Sequence, residues 1–321
     1  DDLTIVTTPI HHTSFRNIIE LFVKPENIHI IEMNKEFNSI ASLPNVKKCD
    51  LVIISHLFGQ DLDFSESKLK EFKQKHDCVF IEDRVQGGSI DKPFSSNLFD
   101  VSLYSCGMDK RPVALGGGFG IINYKYKFSK ELFTFMFKTI IKYPRESRFE
   151  RFLFLLKKIP TYLIYNYKFF FSLMKIIISF FGFNANTFSE LYRKKNPGFA
   201  HGNYLLNPSE PLLRSLYRNK NGFYKIENNY NLKFNKYISN FDKRVVYQYY
   251  PWYKENSLLT PYNSVTIPFE FQDSFRLQLL KYGISSIKNP TYKIFNHDYP
   301  NKENDKKFND SILYLPSLGN M

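Results

Sequence analysis

Cys78-Val-Phe-Ile-Glu-Asp83 ends an apolar run on two carboxylates, and Asp100-Val-Ser-Leu-Tyr-Ser105 brings a hydroxyl to the end of another. Lys110 and the triplet Gly116-Gly-Gly118 follow the second run. Short apolar runs bounded by polar residues and glycine are typical of buried strands. Because parallel strands end at the same edge of a sheet, we expect the acid, the hydroxyl and the lysine to lie near one another.

Strand and helix patterns alternate on both sides of this segment through residues 1–125. Strands are predicted at Leu3–Thr7, Asn27–Glu32, Asp50–Ser55, Cys78–Glu82, Val101–Ser105 and Phe119–Asn123. Helices are predicted at Ser14–Val23, at Ser65–Lys75 and after Tyr126. Strands of about five residues separated by helices indicate an α/β fold, a mostly parallel sheet covered by helices.

The rest of the chain has a different pattern. Residues 126–200 are helical in pattern and unusually apolar, which predicts a helical insertion. For residues 201–321 we predict linking helices and a smaller C-terminal α+β domain. Its predicted helices are Leu205–Tyr217, Phe223–Phe241 and Gln272–Tyr282, and its predicted strands are Val245–Tyr250, Ser264–Phe269 and Ile312–Leu315. The polar segment Asn296–Asn309 is predicted to be a loop.

The most apolar part of the insertion is Lys168–Gly182, within the segment Tyr162–Phe183. Its apolar run is shorter than the roughly twenty residues that a membrane-spanning helix needs. One interpretation is a helix that is buried or contacts a second subunit. The other is an amphipathic helix on a membrane surface, because basic residues flank its aromatic and leucine-rich faces, namely Lys157, Lys158, Lys168 and Lys175.

Composition limits the classes of partner. The 321 residues are 43% hydrophobic, which is enough for a large core, and the formal net charge is +13. Lysine is spread throughout, without zinc-ligand spacing or an RNA-binding aromatic signature, so we expect anionic substrates and neither a nucleic acid partner nor a metal. An odd set of three cysteines in or near apolar runs, and no visible signal peptide, favour the reducing cytoplasm.

One chemistry needs the groups of the opening segment together. A carboxylate at the end of a buried strand needs a partner, and the protonated pyridine nitrogen of pyridoxal 5′-phosphate (PLP) is such a partner. Asp83 could hold that nitrogen while Val85 packs against the ring and Gln86 bonds its oxygen. Lys110 could form an imine with the aldehyde, and Ser105 could reach the phosphate. The plainer alternative is an acid that caps a loop and a solvated loop lysine.

The order of these motifs resembles that of the DegT/StrS-type sugar aminotransferases, PLP-dependent enzymes of aspartate aminotransferase fold type I. The similarity covers most of the chain and is weakest in residues 126–200. The similar segments are Ile53–Asp61, Phe80–Gln86, Asp100–Ser105 with Lys110, Gly116–Gly118, Arg276–Gly283 and Ile312–Met321.

The resemblance implies Lys110 as the lysine that bonds to the cofactor and Asp83 as the partner of its ring nitrogen. It implies Gln86 as a cofactor contact and Ser105 as a phosphate ligand. It also implies His12 as a ring over the cofactor.

Other residues are implied less directly. His11 is the alternative to His12 for the position over the ring. His56 follows a predicted strand at the same edge of the sheet, and Asn203 lies in a segment that resembles one reaching the partner subunit's site. We expect both at the substrate or in the site shared between two subunits.

The implied function is transfer of an amino group from an amino acid, such as glutamate, to a nucleotide-linked keto-sugar in glycan or polysaccharide precursor synthesis. The implied assembly is a homodimer.

The sequence departs from the family at two points. The family carries a phosphate-binding turn ahead of the position where this sequence begins, so we expect the large domain to lack its usual N-terminal portion. In addition, Arg84 replaces a usual alanine. A PLP sugar dehydratase is one alternative, although Lys110 argues against the variant with histidine there. A non-catalytic, membrane-peripheral protein that docks through residues 162–183 is the other.

Overall fold

A computed structural model describes residues 2–57, 61–86, 93–106, 117–166, 168–180, 207, 209–219, 264–281, 286–288 and 292–314. The predicted site residues Lys110 and Asn203 lie outside these ranges. So do the predicted helix Phe223–Phe241 and the predicted strand Val245–Tyr250.

The described strands are, in chain order, β1 (Ile5–Thr7), β2 (Ile10–His12), β3 (Ile28–Ile30), β4 (Glu32–Met33), β5 (Ile40–Ser42), β6 (Leu51–Ser55), β7 (Val79–Asp83), β8 (Val101–Ser105), β9 (Gly118–Ile122), β10 (Ser264–Thr266), β11 (Ile287–Lys288), β12 (Tyr292–Ile294) and β13 (Ile312–Tyr314). The described α-helices are α1 (Thr13–Phe22), α2 (Glu66–His76), α3 (Ser129–Ile140), α4 (Arg148–Asn166), α5 (Lys168–Phe180), α6 (Glu210–Asn219), α7 (Gln272–Lys281) and α8 (Lys302–Ser311). Short 3-10 helices lie at Pro25–Asn27 and Phe269–Phe271.

A six-stranded sheet in the order β3-β1-β6-β7-β8-β9 forms the centre of the fold. Every pair in it is parallel except β8 with β9, which is antiparallel. The mostly parallel α/β sheet predicted from the sequence is therefore confirmed. The segment Asn27–Glu32, predicted as one strand, is two, because the chain leaves the sheet after β3 and β4 pairs with β5 instead.

The two faces of the sheet bury different helices. On one face, Ile5 and Ile53 pack with Ile19 and Val23 of α1 and its C-terminal end. On the other face, alternate residues of the same strands pack against α2, including Val6, Val52, Ile54 and Phe80. Side chains alternate between the two faces of a strand, and fully burying each apolar one contributes about 1.5–3 kcal/mol. This alternation also fixes which face each polar residue reaches at the strand ends.

The C-terminal segment adds a second sheet and contacts the first part of the chain. Strands β10, β13 and β11 form an antiparallel sheet, and β12 pairs antiparallel with β2 near the start of the chain. The strand predicted at Ser264–Phe269 is shorter than expected, because Pro268 precedes a 3-10 helix. The domain limits at residues 125 and 200 stay predictions.

The loop predicted at Asn296–Asn309 is wrong, because α8 occupies its second half. Its sequence is polar, but Phe308 stacks on Phe37 with ring centroids 4.1 Å apart. Asp305 and Asn309, four residues apart, are buried on the same helix. A contact with the distant N-terminal part therefore stabilises a helix that local composition does not predict.

Helices α3, α4 and α5 lie in the described part of the predicted insertion, and the insertion as a unit of residues 126–200 stays a prediction. Among the residues that the structure describes, no helix combines the length and the apolar character needed to cross a membrane.

The buried Asp305 makes the free energy of unfolding depend on pH. Burial raises the pKa of Asp305 to about 7, and the charge of Glu32 acts in the same direction. The unfolded chain has its pKa near ~3.9. At pH values between these two pKa values, Asp305 binds more protons in the folded chain than in the unfolded chain. Its contribution to stability is therefore fully present below about pH 4 and is lost as the pH rises through about 7.

We expect Asp305→Asn to stabilise the chain by about 2 kcal/mol at pH 8 and to change little at pH 4, because the amide needs no proton. Urea unfolding at both pH values measures this difference. Asp310→Asn, at an exposed position of the same helix, is the control and should show no such pH dependence. An equal effect of Asp305→Asn at pH 4 and pH 8 would contradict the assignment.

Candidate functional site

Polar side chains end three neighbouring strands of the central sheet. Ser55 ends β6 and is paired in register with Asp83, which ends β7. Asp83 is paired with Leu103 of β8, so Ser105, two residues further, lies on the same face as Asp83. The predicted acid and hydroxyl are therefore at one edge and on one face, the face covered by α1.

Asp83 is 8% exposed, and both of its carboxylate oxygens accept hydrogen bonds. The Ser55 hydroxyl donates to Oδ2 at 3.0 Å, and the backbone N–H of Val85 donates to Oδ1 at 3.0 Å. Val85 itself is half-buried beside it. Donors of this kind stabilise the ionised form of a carboxylate.

His11 extends this hydrogen-bonded chain into the core. Its Nδ1 lies 2.8 Å from the Ser55 hydroxyl, and its Nε2 lies 2.8 Å from the Thr7 hydroxyl. Because Ser55 donates to Asp83, it accepts from His11 Nδ1–H, and His11 Nε2 accepts from Thr7. Burial lowers the pKa of His11 to about 3, so the ring is neutral. His11, the alternative to His12 in the sequence interpretation, is thus buried and linked to Asp83 through the Ser55 hydroxyl.

Gln86 and His12 are linked through a residue from the far end of the chain. The buried Gln86 amide donates to the hydroxyl of Tyr292 in β12. Tyr292 is paired with His12 across the β2–β12 ladder, and the two rings meet edge to face at 5.8 Å. His12 Nδ1 accepts from the backbone N–H of Ser14 at 3.2 Å and so caps α1. The half-buried His12 is thereby fixed in orientation.

His56 lies on the opposite face of the sheet, in a buried ionic network. Its Nδ1 accepts from the backbone N–H of Leu62, so its Nε2–H donates to Glu82 at 3.0 Å. Arg84, 1% exposed, pairs with Glu82 and with Asp61 at 2.9 Å.

The hydrogen bonds of this network engage His56 within the chain. Burial alone would raise the pKa of Glu82, but the hydrogen bond from His56, the charge of Arg84 and the hydrogen bond from Ser95 hold it below its ordinary value. His56 is buried and uses both ring nitrogens inside the chain, and its contact with a substrate stays a prediction. Arg84 points away from Asp83, as the alternation of the strand predicts.

The glycines after β8 permit the close return of the chain into β9. Gly117 has a φ of +79°, a conformation that favours glycine. A Cβ on Gly118 would lie 2.5 Å from the carbonyl oxygen of Tyr104, closer than real contacts allow. This agrees with the close turn expected of the glycine triplet, whose first member lies outside the described residues.

The structure places Val85 beside Asp83 and Ser105 on the same edge and face as Asp83, and it links Gln86 to His12 through Tyr292. Sequence reasoning missed Ser55 and Tyr292. Ser55 had a signal, because it ends a predicted strand on the same pattern as Asp83. Tyr292 had none beyond a short alternation of apolar residues. Within the described part of the chain, no group of three or more His, Cys, Asp or Glu side chains could hold a metal ion.

Comparisons with known proteins identify solved structures with a similar fold. No family model matches the sequence, and no curated protein matches it significantly. Solved structures do match over nearly the whole chain. Helicobacter pylori PseC, an aminotransferase involved in the biosynthesis of pseudoaminic acid, has 12% sequence identity and a TM-score of 0.54, covering 98% of this chain and 74% of its own.

Two further structures agree. A DegT DnrJ EryC1 StrS aminotransferase from Brucella abortus is 13% identical, with a TM-score of 0.50 over 98% of this chain and 74% of its own. Spr1654 from Streptococcus pneumoniae, solved in a PLP form, is 11% identical, with a TM-score of 0.55 over 98% of this chain and 76% of its own. Identities this low establish the fold alone. The chain has the α/β fold of PLP fold type I, as predicted. Within that fold, the structures that it resembles are aminotransferases of the DegT/DnrJ/EryC1/StrS type.

Proposed function

We propose that this chain is a PLP-dependent sugar aminotransferase of the DegT/StrS type. The observation that carries the proposal is Asp83, a buried carboxylate held by Ser55 and the Val85 N–H at the carboxyl edge of a parallel sheet. Ligands of such sheets bind at that edge. When bound, PLP supplies a cationic pyridine ring that withdraws electrons and an aldehyde that bonds to amines.

The residues present fit this group. Asp83 accepts hydrogen bonds from Ser55 and Val85, which stabilises the negative charge that a protonated ring nitrogen needs opposite it. The neutral His11 behind Ser55 adds no positive charge that would compete with such a ring. Ser105 lies on the same face and can donate its hydroxyl to a phosphate.

Other residues would orient the ring. Gln86 would bond the ring oxygen, with its amide direction set by the Tyr292 hydroxyl. His12 would lie over the ring, held by Ser14 and the edge of Tyr292, and Val85 would pack on the opposite side. Lys110 would bond the cofactor and move protons between carbon atoms of the reacting molecules.

We infer that the amino donor is glutamate and the acceptor is a keto-sugar linked to a nucleotide. The net charge of +13 suits a doubly charged pyrophosphate. PseC, which shares the fold, is involved in the biosynthesis of pseudoaminic acid, which supports a place in glycan or polysaccharide precursor synthesis. We further propose a homodimer in which Asn203 reaches the partner's site, and a cytoplasmic location, which suits the three buried free cysteines.

Absorbance tests the proposal. The purified full chain is reconstituted with PLP, and a band near the visible edge is expected for the cofactor bonded to the protein. Adding glutamate should bleach the band, and a nucleotide-linked keto-hexose should then restore it. A band that no amino acid bleaches would exclude amino transfer. A deoxygenated sugar product would instead indicate the dehydratase alternative.

A further inference from the structure

Helix α4 presents an apolar stripe to solvent. Its exposed large side chains recur every three or four residues and therefore lie on one side of the helix. They are Phe149, Phe152, Leu153, Leu156 and Ile159. Phe152 is 58% exposed. A helix in a soluble domain usually turns such a stripe toward the core, so this stripe has the opposite orientation.

Helix α5, which packs against α4, repeats this arrangement. Its exposed apolar residues follow the same spacing and are Phe169, Phe170, Leu173, Ile176, Ile177 and Phe180. Phe169 is 70% exposed and Phe180 is 86% exposed. Helix α3 adds four exposed apolar side chains, Phe133, Phe135, Phe137 and Ile140. Apolar side chains exposed in such number mark an interaction site.

The same segment is strongly basic. Residues 129–180 contain ten lysines and arginines against three glutamates and no aspartate, a net charge of +7 out of +13 for the chain. Several of these cations are exposed, namely Lys130, Lys138, Lys142, Arg145 and Arg148. Exposed aromatic residues combined with excess positive charge are characteristic of helices that lie in the interface of an anionic membrane.

We propose that the exposed apolar stripes of α3, α4 and α5, here called the helical surface, bind an anionic lipid bilayer without crossing it. Amphipathic helices with exposed aromatic residues and excess positive charge lie in the plane of the interface. A second copy of the chain is the less favoured occupant, because a self-complementary contact would bring a charge of +7 against another +7. The lipid headgroups supply the opposite charge.

This surface is separate from the residues proposed to bind the cofactor. Asp83 and Gln86 follow β7 in the central sheet, whereas the helical surface lies on α3–α5. Membrane binding therefore adds to the proposed activity and does not depend on it, and its failure would leave the absorbance test unaffected.

Flotation with vesicles tests the proposal. The full chain is mixed with vesicles of phosphatidylcholine alone or with about one-third phosphatidylglycerol, at low and high salt. We expect at least tenfold stronger partition onto the anionic vesicles, and weakening by salt, because each cation near the surface adds attraction. Phe169→Ser combined with Phe180→Ser should reduce partition at least tenfold, because both side chains lose their apolar contact with the acyl chains.

The matched control is Phe22→Ser combined with Phe271→Ser, two exposed phenylalanines outside these helices. It should bind like the unchanged chain. The proposal fails if the unchanged chain does not float with anionic vesicles, or if Phe169→Ser with Phe180→Ser floats equally well. It also fails if light scattering shows that this variant halves the solution mass, since a second copy would then cover the surface.

Discussion

Asp83→Asn is expected to lower the rate at which glutamate bleaches the reconstituted chain by about 10²–10³-fold. The amide keeps the shape of the carboxylate, and its single oxygen can still accept from one of the two donors, Ser55 or the Val85 N–H. It removes the negative charge opposite the ring nitrogen. Without that charge the ring nitrogen loses its proton and the bound ring withdraws electrons less strongly. Single-turnover absorbance after mixing with glutamate measures the rate directly.

The control for this prediction is Asp50→Asn. Asp50 precedes β6 at the opposite, amino edge of the sheet, where it accepts from the backbone N–H of Thr4 at 2.9 Å. Its replacement should leave the bleaching rate within about twofold of the unchanged chain. Stability should fall by at most the contribution of one hydrogen bond, about 1 kcal/mol. Similar rates in Asp83→Asn and the unchanged chain would remove Asp83 from the site and, with it, the main support for PLP.

The two adjacent acids of the opening segment show how much a strand pattern can predict. Glu82 and Asp83 are neighbours in sequence, yet alternation sends them to opposite faces of β7. Glu82 joins His56 and Arg84 in a buried ionic network, whereas Asp83 meets Ser55 on the face of Ser105. The sequence indicated that an acid ends a buried strand, but the role of each acid follows only from which helix covers which face.

The central sheet was predictable because its strands are short apolar runs whose burial depends on local pattern. The helix α8 was not, because Lys302–Ser311 is polar and its contact is Phe308 on Phe37, more than 250 residues away in sequence. The pairing of β2 with β12 is equally distant, and it brings Tyr292 to Gln86 and His12. Contacts of this range carry no local signal, so the second half of the site emerged only from the fold.

His11 and His12 illustrate the same limit at shorter range. Both were candidates for the position over the ring, and composition does not separate two adjacent histidines. In β2 they point to opposite sides. His11 is fully enclosed between Thr7 and Ser55. His12, half-buried at the start of α1, stays the residue that we propose to lie over the cofactor.

Lys110→Ala is expected to abolish both the visible band and amino transfer. Loss of the amine removes the covalent attachment of the cofactor, and loss of its proton transfer alone accounts for about 10²–10⁴-fold in rate. Lys110→Arg should behave in the same way, because a guanidinium keeps the charge but does not form an imine. Both variants should unfold at the same urea concentration as the unchanged chain if the lysine serves the chemistry alone.

Borohydride reduction of the reconstituted chain followed by peptide mass analysis locates the attachment directly. The cofactor mass is expected on the peptide that carries Lys110 and should be missing from Lys110→Arg. Lys125→Ala, an exposed lysine after β9, is the control and should retain the band and the labelled peptide. Label on a different lysine would move the reacting amine elsewhere while leaving Asp83 in place. A band that persists in both Lys110 variants with no lysine-containing peptide labelled would show that the absorbance does not arise from a cofactor bonded to the protein, and the aminotransferase assignment would then fail.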